Sequence, residues 1–338
     1  LPPHPETWLK TTAAGLYCIP GDFHIDPLRA VPRAVISHAH ADHARPGHDH
    51  VLATRGTLAV MRTRMGAERA GAVQQELAYG ESLKINDVTV TLHPAGHVLG
   101  SAQIAIEYKN SRAVVSGDYK RQYDPTAASF EVQSCDVFVT EATFGLPVFQ
   151  HPAAGDEIAR LLASLAMFPG RTHVIGCYAL GKCQRLIAEL RRAGYDAPIF
   201  LHGAHMPVCD TYRALGVDLG DLRPATVAAK ADLKGALVLA PPSAIADRWA
   251  RRLEDPVVCM ASGWMRIRQR AKAGGVELPL VISDHADWDD LLATIRQTGA
   301  PEVWVTHGNE EALIHACGKL QIRARALRLV GYGDEDAA

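Results

Sequence analysis
A six-residue run, His38-Ala39-His40-Ala41-Asp42-His43, constrains this chain more than any other feature, because it delivers four potential metal ligands directly after the short apolar stretch Ala34-Val35-Ile36-Ser37. Neutral imidazole and carboxylate suit zinc or another borderline divalent ion. Just past a strand end, alternation of side chains sends His38 and His40 the same way, and the turn that follows brings Asp42 and His43 round to a second ion. Two metal ions close together are therefore expected. Such a centre needs more ligands than one loop carries.

Three later strand ends offer them. Residues 88–92 alternate apolar and polar before His93-Pro94-Ala95-Gly96-His97, and residues 112–115 run into Ser116-Gly117-Asp118. Val303-Trp304-Val305-Thr306 leads into His307-Gly308, where the glycine permits close backbone approach. His97, Asp118 and His307 join the candidate ligands.

The succession of HxHxDH, a strand-end histidine, Ser-Gly-Asp and a late histidine resembles the metallo-β-lactamase superfamily over nearly the whole chain. The resemblance implies an α/β fold, the αββα sandwich. It implies one zinc on His38, His40 and His97, another on Asp42, His43 and His307, and Asp118 bridging; Mn2+ or another divalent ion is an alternative occupant. Asp26, in Phe23-His24-Ile25-Asp26-Pro27, matches the aspartate of the first motif and is counted with the catalytic set, as a carboxylate that orients a ligand histidine.

Val137-Phe138-Val139-Thr140-Glu141 and Val281-Ile282-Ser283-Asp284-His285 place an acid and a histidine at two more strand ends, and resemble the first two motifs of the β-CASP nucleases, with His307 as the third. Glu141 can accept a hydrogen bond from His285 and keep it charged, ready to contact a phosphate or protonate a leaving oxygen. Gly176-Cys177-Tyr178-Ala179-Leu180-Gly181-Lys182 resembles the opening of a helix in the β-CASP insert. Ala261-Ser262-Gly263-Trp264, followed by Arg266, Arg268 and Arg270, resembles a segment of the Artemis-like DNA-repair nucleases. Ser262, Gly263, Arg266 and Lys182 are accordingly expected to bind a terminal phosphate, which backbone amides and guanidinium groups both suit.

A histidine at position 307 is the type found in RNA-acting relatives. The short length, the opening Trp8-Leu9-Lys10 and the Ile25-Asp26-Pro27 passage instead resemble the bacterial ligase-associated DNA exonucleases. That resemblance implies a DNA exonuclease working at strand ends, 5′ to 3′ on single strands, in repair and in association with an ATP-dependent DNA ligase and a helicase. An RNA-processing nuclease and a catalytically silent scaffold of the same fold are the alternatives.

Composition agrees with a compact enzyme. The 338 residues, 48% hydrophobic, suffice for two units at roughly 100–200 residues per domain. No apolar run approaches the ~20 residues that span a bilayer, and the N-terminus lacks a basic-then-apolar leader, so no membrane association and a cytoplasmic location are expected. Seven cysteines without a CxxC pair fit reduced, buried thiols, with Cys177 and Cys183 as packing residues. The formal net charge of −2 gives no global basic signature; local charge must come from bound metal and from strips such as Lys120/Arg121 and Arg266 to Lys272. Trp264, Tyr178 and Phe144 are available for base stacking.

The positions of these motifs set the expected organisation. Residues 1–148 form the first part of the sandwich, 149–273 an inserted α/β domain with helices at 156–168 and 182–192, and 274–338 the return, with strands at 278–283, 303–306 and 326–330. The active site is expected in the cleft between the two.

Overall fold
The computed structural model describes residues 1–245, 247 and 249–327. They divide into two compact units, one made of Leu1–Phe149 with His285–Ala338 and the other of Gln150–Asp284. The acidic run Asp334-Glu335-Asp336 and the end of the last expected strand lie outside the described residues.

In the first unit, β1 (Leu9–Thr12), β2 (Gly15–Cys18), β3 (Phe23–Ile25), β4 (Arg33–Val35), β5 (His50–Ala53) and, after helix α1 (Arg55–Met65), β6 (Val73–Glu76) form one sheet in that order. The chain continues through β7 (Ser82–Ile85), β8 (Val88–Pro94), β9 (Ala102–Tyr108), β10 (Ser111–Val115) and β11 (Val137–Ala142).

The second unit follows. It comprises α2 (Ala154–Met167), β12 (His173–Gly176), α3 (Lys182–Arg192), β13 (Ile199–Leu201), α4 (Met206–Ala214), β14 (Leu222–Pro224), α5 (Lys230–Leu233), β15 (Leu237–Ala240), α6 (Pro242–Ile245), β16 (Val257–Ala261), α7 (Arg268–Ala273) and β17 (Leu278–Leu280). Its strands make a parallel sheet in the order β14-β13-β15-β12-β16-β17. The β12 and β15 strands are buried on both faces, as central parallel strands must be.

The first unit then resumes with α8 (Trp288–Thr298), β18 (Glu302–Gly308), α9 (Glu310–Lys319) and β19 (Arg323–Ala326), and its second sheet runs β19-β18-β11-β10-β9-β8-β7. The inner faces of the two sheets share a core that includes Leu16, Phe23, Ile25 and Val35 from one and Val90, Ile104, Val115, Val139 and Trp304 from the other. Period-2 alternation in β8, buried at every second residue, produces this face directly. On the other side of the second sheet, Val114, Phe138, Val303 and Val305 pack with Leu291 and Ile295 of α8 and Leu313 of α9. The first unit is an αββα sandwich.

One expected strand joins a different sheet. The run at 278–283, read as the resumption of the sandwich, contributes β17, which pairs in parallel with β16 through Cys259↔Leu278 and Ala261↔Leu280. A short apolar run carries no periodicity that says which sheet it will complete.

Candidate metal centre
Strand direction assembles the site. In the second sheet β8, β10, β11 and β18 all run the same way, because β8 and β10 are each antiparallel to β9 and β10, β11 and β18 pair in parallel. Their C-terminal ends therefore share one edge, and His97, Asp118, Glu141 and His307 are delivered there. The HxHxDH loop arrives from the end of β4 in the facing sheet, tied on by the Ala102 N–H, which donates to the Ser37 carbonyl at 2.8 Å. Gly117, at φ +56°, makes this junction possible: a Cβ there would stand 2.8 Å from the Ser37 side chain.

His38, His40, His97 and Asp118 converge, all buried. His38 Nε2 and His97 Nε2 lie 3.1 and 3.0 Å from His40 Nδ1, and 3.3 and 3.8 Å from Asp118 Oδ2. Ligands at the ~2.0–2.1 Å bond lengths of a tetrahedral zinc site stand about 3.3 Å apart, and these four separations bracket that value. Asp42, His43 and His307 form a second group beside Asp118, with His43 Nε2 3.5 Å from Asp42 Oδ2 and 3.3 Å from Asp118 Oδ2. Asp118 Oδ1 faces His307 Nδ1 at 3.6 Å. Asp118 thus touches both groups.

Hydrogen bonds behind the cluster fix the tautomers of two of its histidines. Asp26 Oδ2 accepts from His43 Nδ1 at 2.8 Å and from Ser37 Oγ at 2.5 Å, while Asp26 Oδ1 accepts from the Ser37 amide at 2.7 Å. With its proton held by Asp26, Ser37 Oγ can only accept from His38 Nδ1, 3.0 Å away. Both rings therefore carry their proton on Nδ1 and present an Nε2 lone pair to the cluster. Ser37 carries no motif of its own in the sequence and is identified by its place between the strand end and the first histidine.

The cluster asks for cations. Burial, reinforced by His43, pushes His38 well below the ordinary histidine range, keeping it neutral as a ligand must be. Burial alone would raise Asp118, but the surrounding His43, His307 and His38 hold it well below the usual carboxylate range. Burial likewise opposes a charge on His43, yet Asp118, Asp42 and Asp26 raise it well above normal. Three buried carboxylates thus draw positive charge into one pocket, while Asp42 Oδ1 is buried with no hydrogen-bond partner. Two divalent ions fit this donor set.

Backbone strain accompanies the geometry. Asp26 sits at φ +42° and His307 at φ +55°, conformations that non-glycine residues rarely adopt. The left-handed turn at His307 ends β18 opposite a register shift in β11 between Thr140 and Ala142.

Glu141 and His285 stand beside the cluster. Glu141 Oε2 accepts from His285 Nδ1 at 2.8 Å and its Oε1 from the Tyr119 amide at 2.7 Å, so both carboxylate oxygens are held. The His285 ring lies 4.7 Å from that of His97. It is set by the next two residues: Ala286 N–H donates to the Tyr119 carbonyl, and Asp287 caps α8 by accepting from the Asp290 amide at 3.0 Å.

The expected phosphate residues all lie in the second unit. Ser262 Oγ accepts from the Trp264 amide at 3.2 Å, capping a short 3-10 turn; Gly263 is buried within that turn, and Arg266 is exposed at its end. Lys182 is fully buried, its Nζ 3.1 Å from Asp284 Oδ2, and this ion pair must open before the ammonium meets a phosphate. Two other expectations are corrected. Lys120 is buried and forms no basic strip, and Phe144 is fully buried against Phe149 at 5.0 Å and so offers no face to a base. Trp264 is 8% exposed, with the Arg270 guanidinium 4.2 Å over its ring.

No family model matches the chain. A probable DNA ligase of Opitutus terrae is 29% identical over 309 residues, which cover 89% of this chain and 29% of that protein. Endoribonuclease YSH1 of Eremothecium gossypii is 26% identical over 200 residues, 48% of this chain and 26% of its own length. The chain thus spans less than a third of either relative. A crystal structure of a protein of unknown function from Enterococcus faecalis superposes with a TM-score of 0.59 at 12% identity, covering 88% of this chain and 80% of that one, a likeness of fold. The sandwich, the histidine–aspartate cluster at its edge and these relatives support the β-CASP branch of the metallo-β-lactamase superfamily as the family this chain resembles.

Proposed function
We propose that the chain is a two-metal phosphodiesterase, a DNA exonuclease that hydrolyses strand ends, 5′ to 3′ on single-stranded DNA, in repair. The observation that carries this reading is the convergence of two ligand groups on Asp118 with the Glu141–His285 pair beside them. His38, His40 and His97 would hold one ion and Asp42, His43 and His307 the other, with Asp118 shared; zinc suits this set best. When bound, such a pair activates a water at neutral pH and neutralises charge on the phosphoryl oxygens. The chain's own residues do the rest. Asp26 and Ser37 keep His43 and His38 presenting their Nε2 lone pairs. Glu141, itself fixed by the Tyr119 amide, holds the Nδ1 proton of His285, so the opposite ring nitrogen is the one that donates a proton to the departing oxygen. Arg266 and the turn at Ser262 and Gly263 would meet a terminal phosphate.

DNA as the substrate is supported by the match to a probable DNA ligase along 89% of this chain, which also favours an associated ligase as partner; a helicase partner is proposed on the sequence resemblance alone. The RNA reading is favoured by the YSH1 relative, an endoribonuclease. Linear single-stranded DNA and RNA of one sequence, end-labelled with 5′-phosphate or 5′-hydroxyl, separate them. The DNA reading expects stepwise loss from the end of DNA; faster cleavage of RNA would replace it with the second, and equal cutting of circular strands would remove the exonuclease mode. Binding of DNA without cleavage under every divalent ion tried would leave only a scaffold.

A further inference from the structure
The second unit contains a cluster that the reading above leaves without a role. Cys177 follows β12, Cys183 lies in the first turn of α3, His205 precedes α4, and Cys209 sits one turn on, at the i+4 position from His205. Cys177, Cys183 and His205 each bring a ligand atom within 4.8 Å of the other two, and Cys183 Sγ lies 3.9 Å from Cys209 Sγ. All four residues are fully buried.

Three observations separate this cluster from ordinary packing. First, neither ring nitrogen of the buried His205 makes a hydrogen bond of full geometry, the Cys177 backbone being a polar neighbour of the ring, so the imidazole is desolvated with little compensation. Second, Cys209 Sγ accepts from Gln184 Nε2 at 3.2 Å, the kind of contact that supports a metal-bound thiolate. Third, Cys183 lies at the N-terminal end of the eleven-residue α3, where the helix dipole opposes the burial and the Cys177 and Cys209 contacts that push its thiol well above the ordinary range, a penalty that a bound cation would offset. Sulfurs at the ~2.3 Å bond length of a tetrahedral zinc site stand about 3.8 Å apart, close to the 3.9 Å between Cys183 and Cys209.

We propose that Cys177, Cys183 and His205, completed by Cys209, form a structural zinc site in the second unit, separate from the histidine–aspartate centre. Three thiolates and one imidazole close the coordination shell and leave no place for a reacting water, so the site fastens the start of α3 and of α4 to the end of β12. The four residues belong to two distant pairs, and this is why the sequence presents Cys177 and Cys183 as packing residues.

Cobalt(II) tests the assignment, because thiolate ligands give an intense near-ultraviolet charge-transfer band that nitrogen and oxygen ligands do not. The reduced full chain loaded with cobalt should show that band together with the weaker visible bands of the first unit. The double substitution His38→Ala and Asp118→Ala should keep the thiolate band, so failure of the nuclease centre and failure of this site are read separately. Cys183→Ser should lose the band and one metal equivalent per chain and keep the visible bands. Absence of the band from cobalt-loaded wild-type protein overturns the proposal even if Cys183→Ser does not fold. A wild-type metal count in folded Cys183→Ser, or a Cys183–Cys209 disulfide in zinc-saturated protein, overturns it as well.

Discussion

Asp26→Asn offers the sharpest perturbation of the metal centre that leaves every proposed ligand in place. The carboxylate accepts three hydrogen bonds, from the Ser37 amide, Ser37 Oγ and His43 Nδ1, at 2.7, 2.5 and 2.8 Å. An asparagine of the same shape supplies one acceptor oxygen and one NH2 group. Either orientation sets two donors against each other: the NH2 meets the His43 and Ser37 protons, or it meets the Ser37 amide. In the first case His43 relieves the conflict by moving its proton to Nε2, which removes the lone pair offered to the ion shared with Asp42 and His307. Changes to groups that orient ligands cost about 10–100-fold in metal affinity or activity, equivalent to about 1.4–2.8 kcal/mol at 1.4 kcal/mol per tenfold. The assay is competition for zinc against a fluorescent chelator, run beside cleavage rate as a function of free zinc. The more weakly held ion should shift by that factor, with activity recovered at saturating zinc. Wild-type affinity and rate in folded Asp26→Asn would refute the argument that Asp26 sets the tautomer.

Other substitutions probe the remaining roles. Asp118→Ala should lose activity and at least one metal equivalent, measured by elemental analysis; a fully loaded, active variant contradicts the shared-ligand assignment. His285→Ala should keep both ions and lose on the order of 10²–10⁴ in rate, the range for a missing general acid or base, whereas loss of an ion would make it a ligand. Glu141→Gln should show a milder form of the same defect in single-turnover assays, since the one amide oxygen can still orient the ring, at the expense of the Tyr119 contact, but carries no charge. Ser262→Ala with Arg266→Ala should remove any preference for 5′-phosphate over 5′-hydroxyl ends by roughly ten- to a few hundred-fold, at about 1.5–3 kcal/mol per charge-assisted hydrogen bond; equal losses on both substrates would point to general strand binding.

Much of the candidate metal centre is legible in the sequence because the residues proposed as ligands sit at strand ends, where a period-2 run stops and a histidine or aspartate follows. His38 to His43 are contiguous, and His97, Asp118 and His307 each end a readable strand. The relay behind them is harder to see. Ser37 matters through its position between Asp26 and His38, and no residue type or spacing announces that. The left-handed turn at His307 is also silent in sequence, since only the following glycine hints at it. In the second unit, α3 follows from its amphipathic spacing, but parallel pairing is non-local, so the run at 278–280 gives no sign that it completes the sheet beside β16. The cysteine cluster is invisible for the same reason: its members are joined by the meeting of two helix N-termini and not by a motif. Lys182 looks like an exposed phosphate ligand in sequence, and the burial that pairs it with Asp284 appears only in three dimensions.

The central claim is that Asp118 joins two metal ions. Anomalous diffraction at the zinc edge, on crystals of the metal-loaded full chain, tests it most directly. The account predicts two peaks flanking Asp118 in the first unit, about 3.5–4 Å apart as in two-metal phosphodiesterases, with His38, His40 and His97 around one and Asp42, His43 and His307 around the other. A single peak in that cluster at saturating zinc, or two peaks of which Asp118 touches only one, would contradict it.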